Sequence, residues 1–440
     1  MKRKFILFAV IGMMFSACAD YQDDIDGLNK KYDELQKEQE RQAELLATYQ
    51  LLLQAMESRL TVSDIVTTDE GYKIVFSDGT ELVVKNGSSV VRIVDTGDSI
   101  LFYMSDGSVI TMGKTVTLGL FALSEGGFGA GNGELVYFDY NQTTGSFVRN
   151  DNKRFKNIGE TPNDLLLYGS KMYCTITGTS TDGGVLRVIN PTTGETIGDV
   201  TVMRDEVKQQ PRRLAAADGY VYVSLYGGGV ARVDTLSFDY KAIALGGTFS
   251  EGMCVYGSSL YVCNSGQGTG NTVSVVDKAT FTEIKTIEVP YNPTNIINVG
   301  TDELFLNTAS VWSGPSAGAL PNIHLLNAKS EKITKTFDIA AENMVAGKHY
   351  VYGTATDWNT FGGMLKKISI ADNTVTDFTD DEDELMLAYK LSVNPLNGEV
   401  FLTQQMGQDI RRFKEDGTYI ETLKAGQQNG AAIAFVNGVR

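Results

Sequence analysis

The chain has 440 residues, long enough for two or three domains and for a sizeable buried core. Its 54 acidic against 38 basic side chains give a net charge of -16, which excludes nucleic acid as a partner held by clustered Lys and Arg on phosphates. Two histidines, His324 and His349, leave little for His-based acid/base catalysis or a usual zinc ligand set.

The N-terminus has Lys2, Arg3 and Lys4, then an apolar run through Phe15, then Ser16 and Ala17 before Cys18. This is the pattern of an export signal ending at a cysteine. It resembles a bacterial lipoprotein signal over residues 1–17, with Phe15 where Leu is commonest; the resemblance implies lipidation of Cys18. Asp20, Asp23, Asp24 and Asp26 follow closely, similar to the export tag of surface lipoproteins of Bacteroidota. The expected address is therefore the outer membrane, on the cell surface and lipid-anchored. The apolar run is too short to span comfortably, and no other transmembrane candidate is present.

Residues 18–62 form an acidic tether and a helical stalk. A heptad runs through Ile25, Leu28, Tyr32, Leu35, Gln39, Gln42, Leu46, Tyr49, Leu53, Met56 and Leu60, with Lys, Glu, Gln and Arg between. That spacing predicts a coiled coil, either the seam of a homo-oligomer or a lone amphipathic stalk. Residues 63–114 then carry two hairpins with Asp78-Gly79 and Asp106-Gly107 at the turns, a small β collar. The stalk and collar resemble the N-terminal spacer of many Bacteroidota surface proteins.

From residue 115 two hairpin types alternate to the end of the chain. One has the form "NTVSVVDKATFTEIKTIEV" from Asn271, in seven copies; the other has the form "MCVYGSSLYVCN" from Met253, in six. The seventh is split between "TLGLFALS" near Thr117 and "AAIAFVNG" near the C-terminus. Four strands per unit at this repeat length predict an all-β fold, a seven-bladed β-propeller over 115–440 whose split unit closes the ring and hides its edges. The stretch from Tyr261 resembles the YVTN, or YncE-like, repeat, with Cys263 where Thr is usual. In the same region Cys254 and Cys263 flank a predicted Ser258-Ser259 turn that would set them opposite one another, either as two packed free thiols, because adjacent-strand geometry strains a disulfide, or oxidised to one in an exported protein.

The turns between third and fourth strands are short and alike, whereas the loops between second and third strands vary. Trp312 and Trp358 fall in two of the longer ones, with Phe361 nearby, and aromatics on such loops offer stacking faces to a ligand. The starts of the innermost strands supply Asp164, Arg213, Asn295, Asn343 and Lys390, with Tyr389 one place earlier. These should ring the mouth of the axial channel and hold a polar ligand by hydrogen bonds, or else simply hydrate the channel. No nucleophile triad, phosphate loop or thiolate cluster is visible, so no catalytic residue, metal or cofactor is expected. The expectation is a non-enzymatic surface protein that binds a ligand at its loop face. It resembles, in architecture and address, the vitamin B12-capturing surface propellers of Bacteroidota, which implies cobalamin as ligand and a TonB-dependent outer-membrane transporter as partner. The alternatives are a glycan-, peptide- or protein-binding adhesin, and a calcium-dependent lactonase-like hydrolase drawing on Asp164, Glu251, Asn295, Glu342 and Asn343.

Overall fold

A computed structural model describes residues 2–57, 60–77, 79–85, 89–96, 99–179, 181–312, 317–379 and 383–439, with side chains from Asp24 onward. The lipidation of Cys18 and the Asp78 half of the first collar turn lie outside what is described. The chain divides into two compact units, 1–116 with 438–440, and 117–437.

In the first unit one helix, Lys2–Glu57, precedes two three-stranded antiparallel sheets. Each predicted hairpin gains a leading strand, Val62–Thr68 or Val90–Asp95. Gly79 and Gly107 take the positive φ values, +83 and +87, that these turns demand. The predicted stalk is helical. Its last turns bury Thr48, Leu52 and Ala55 in the same core as Ile74, Phe102 and Met104, with the Thr48 hydroxyl 2.8 Å from that of Ser89. Leu46, Leu53 and Met56 of the predicted seam are exposed, as are Ile25, Leu28, Tyr32 and Leu35. In these last turns the helix packs on the collar, with Tyr49 and Leu60 of the predicted seam partly buried against the same core. Among the described residues no helix is long and apolar enough to cross a membrane.

The described residues of the second unit form seven four-stranded antiparallel sheets. Sheets 1 to 6 run over residues 162–200, 211–243, 250–288, 293–337, 343–377 and 388–424. In sheet 7 the C-terminal strand Gly430–Val439 takes first place beside Thr115–Ser124, as the split repeat requires. A buried apolar cluster joins each sheet to the next, and sheet 7 shares one with sheet 6 and another with sheet 1. Sequence dictates the layering. Second strands such as Tyr220–Leu225 and Ser259–Asn264 are apolar on both faces because a sheet covers each side. Fourth strands such as Thr282–Glu288 and Lys332–Phe337 alternate Lys, Thr and Glu outward and lie largely exposed.

Cys174, Cys254 and Cys263 are buried free thiols. The predicted turn beside the latter two is corrected: Tyr256 pairs with Ser259, so Cys254 lies opposite Tyr261. Gly257 takes φ +57 at the first turn position, where a serine would be strained, and this sets the register.

His324 sits in the strand Asn322–Asn327, 3% exposed, its Nδ1 2.8 Å from the Thr336 hydroxyl and its Nε2 3.2 Å from that of Thr308. Burial lowers its pKa to about 4, so the folded chain keeps it neutral where the unfolded chain protonates below about 6.5. Stability should therefore fall as pH drops from 6.5 towards 4, by about 3 kcal/mol in all from this group. Urea denaturation at several pH values, compared with His324→Gln, checks this: the variant should have the shallower slope over that window.

Candidate functional site

The first strands of all seven sheets line a single cavity of about 510 Å³. Asp164, Arg213, Asn295, Asn343, Tyr389 and Lys390 all reach it, as do Trp312 and Trp358 from the loops. Backbone geometry explains why consecutive residues do so, since neighbours on a regular strand point to opposite faces. Five of the first strands shift register at their start, between Pro162 and Asp164, Pro211 and Leu214, Ser250 and Met253, Pro293 and Asn295, and Ala388 and Leu391. Such bulges re-aim side chains, which brings both Arg212 and Arg213, and both Tyr389 and Lys390, to one cavity.

The charged groups are ordered by hydrogen bonds. Arg212 Nε donates to Glu251 at 3.0 Å and its Nη1 to the Asn163 side chain at 3.0 Å, while its guanidinium lies 5.0 Å from the Tyr226 ring centroid. Asp164 accepts from the amides of Leu165 at 3.0 Å and Leu214 at 2.9 Å. Burial pushes its carboxyl pKa up, against the opposing pull of Arg213. Glu342 accepts from the Ser310 amide and hydroxyl. Each acid named as a possible calcium ligand thus already has a donor set of its own. Among the described residues no group of three His, Cys, Asp or Glu side chains is placed to hold a metal ion.

Lys390 donates to the Asn343 side-chain oxygen and lies 4.8 Å from the Tyr389 ring centroid. Burial, then the charge of Arg213, bring its pKa down to about 7. The Tyr389 hydroxyl donates to Glu125 at 3.0 Å, across 264 residues of chain.

Trp312 is 80% exposed and Trp358 42%, so neither folds down to plug its loop. Phe361 stands outside the cavity lining. The Asp357–Phe361 turn, closed by the Phe361 amide on the Asp357 carbonyl at 2.7 Å, holds Phe361 at φ +61 and sets its ring edge-on to Trp358 at 6.5 Å. Sequence reasoning passed over Phe128, 98% exposed in the loop between second and third strands of sheet 7. An aromatic flanked by glycines in that variable loop was the available signal.

A family model described as "Domain of unknown function (DUF5074)" matches residues 118–410. No curated protein matches the chain. Among solved structures, a putative 6-phosphogluconolactonase from Bacteroides uniformis superposes with TM-score 0.54 at 13% identity, covering 72% of this chain and 100% of that one. A quinonprotein alcohol dehydrogenase-like protein from Bacteroides thetaiotaomicron gives 0.51 at 13% identity, covering 77% and 84%. A protein from Lactobacillus plantarum gives 0.51 at 12%, covering 73% and 100%. At such identities the likeness shows the fold, which is β-propeller-like, and nothing of activity.

Proposed function

We propose that this chain, which belongs to the DUF5074 family, is a non-enzymatic surface lipoprotein that captures a ligand in the cavity shared by its seven sheets. On this reading the sheets are the blades of a closed seven-bladed propeller of YncE-like kind, Cys18 carries the lipid anchor at the outer membrane, and the exposed apolar stripe from Ile25 to Met56 is the seam of a coiled-coil homo-oligomer. The observation that carries the reading is the convergence of all seven first strands on one polar cavity beneath two exposed tryptophans. Fixed hydrogen-bonding groups below and adaptable aromatic faces above suit a large ligand with a polar periphery. The ligand to test first is cobalamin, delivered onward to a TonB-dependent transporter.

The test is a tryptophan-fluorescence titration of the full chain in detergent with cobalamin, corrected for the ligand's absorbance. Saturable quenching at submicromolar ligand is the expected result. Trp312 and Trp358 are the only tryptophans, so the Trp312→Ala/Trp358→Ala variant is read by equilibrium dialysis and cobalamin absorbance. Its affinity should drop at least about a hundredfold, about 2.7 kcal/mol. A flat titration would remove cobalamin from consideration and bring glycans, peptides and partner proteins forward in the same assay.

A further inference from the structure

Two cations in the cavity have neutral partners only. Arg213 Nη1 donates to the Asn163 backbone carbonyl at 2.9 Å, and Lys390 Nζ donates to the Asn343 side-chain amide oxygen. Among the described residues neither forms an ion pair, whereas Arg212, beside them, is held by Glu251 at 3.0 Å. Asp164, whose carboxyl feels both cations, has each oxygen on a backbone amide. Both cations are half-buried and line the same wall of first strands. Like charges held near one another away from water repel, and beyond the single bond each makes, both side chains carry further N–H donors beside the same cavity. Fixed paired donors of this kind are how proteins recognise oxyanions.

We propose that Arg213 and Lys390 form an oxyanion subsite, so that the ligand taken by this cavity bears a phosphodiester or a carboxylate while its body extends towards Trp312 and Trp358. The inference rests on the ligand-capture reading and narrows it to one chemical class. Facing Lys390 are Arg213 and Arg212 of like charge, Asp164, Glu251 and Glu125 of opposite charge, and the neutral Tyr389 and Asn343. Bringing in one anion neutralises the repulsion between the two unpaired cations and leaves the Arg212–Glu251 pair undisturbed.

The probes are dimethyl phosphate and acetate, whose charge is constant above pH 6, titrated calorimetrically into the full chain at fixed ionic strength. At least one should bind saturably at millimolar concentration, and which one binds tells a phosphodiester-bearing ligand from a carboxylate-bearing one. Affinity should fall about tenfold between pH 6 and pH 8, because Lys390 is charged below about 7 and neutral above it. Lys390→Arg keeps the charge and should keep the affinity while flattening the pH profile; Arg213→Met should weaken binding at every pH. Failure of both probes to bind at tens of millimolar, or equal binding to a folded Lys390→Met variant, overturns the subsite. Cobalamin binding without either probe would leave capture standing and remove the subsite, whereas probe binding without cobalamin would keep the subsite and remove cobalamin alone as the ligand.

Discussion

Deleting residues 430–440 should abolish cooperative folding of the second unit. The C-terminal strand is the first strand of sheet 7, and without it Thr115–Ser124, which contains the buried Leu120, Phe121, Ala122 and Leu123, becomes an uncovered edge. Its removal also takes away Ala431, Ile433 and Ala434 from two apolar clusters and the Phe435 ring packed 5.1 Å from that of Phe401. Polar ties go as well, among them the Thr403 hydroxyl on the Gly430 carbonyl at 2.8 Å. Each large side chain brought back to water costs about 1.5–3 kcal/mol. Several together match the whole stability of a typical domain, about 5–15 kcal/mol. The truncated chain should lose its near-ultraviolet dichroism and sharp thermal transition, and should associate through the bared edge. A peptide of residues 430–440 added in trans should restore part of the transition. A truncated chain melting within a few degrees of the parent would mean that sheet 7 does not close the unit.

Arg412→Met should be the most damaging single substitution outside the cavity. The Arg412 side chain is 2% exposed, yet charged, and is held by two donations to Glu399 at 2.9 and 2.7 Å and one to Glu421 at 2.6 Å. It also donates to the Gly145 carbonyl at 2.7 Å and lies 4.9 Å from the Phe147 ring centroid, so one guanidinium ties sheet 6 to sheet 7. Removing it leaves two largely buried carboxylates without a cation, at a cost of about 3–5 kcal/mol. A melting temperature lower by roughly 10 °C is expected. The triple variant that also carries Glu399→Gln and Glu421→Gln should lose less, because it removes the stranded charges together with their partner. A single variant as stable as the parent would show that this triad contributes nothing to joining sheets 6 and 7.

These two expectations draw on different levels of information. The split repeat at the two ends of the repeat region is visible in the amino-acid order, because a strand's apolar alternation and its turn residues lie within a dozen positions of each other. The starts of the first strands were visible for the same reason, and eight of the nine residues proposed from sequence for a ligand site line the cavity. Phe361 stands outside it because a residue's direction at positive φ follows the closure of its turn and not its place in a loop. The packing of Leu52 and Ala55 on the collar was not legible, because a heptad records where apolar residues stand, while the strands that cover them come from residues downstream.

Sequence by itself determined the repeating four-stranded unit, the pairing of the chain ends and the positions that border the cavity, since all of these follow from local periodicity and turn chemistry. Tertiary structure alone decided which charges there are paired. Arg212 finds Glu251 39 residues away, Lys390 finds Asn343 at 47, and Tyr389 finds Glu125 at 264. Arg213 and Lys390 are left facing a common space because electrostatic partnership depends on distances across sheets, and the bulges at the strand starts set those distances only once the sheets have packed around the cavity.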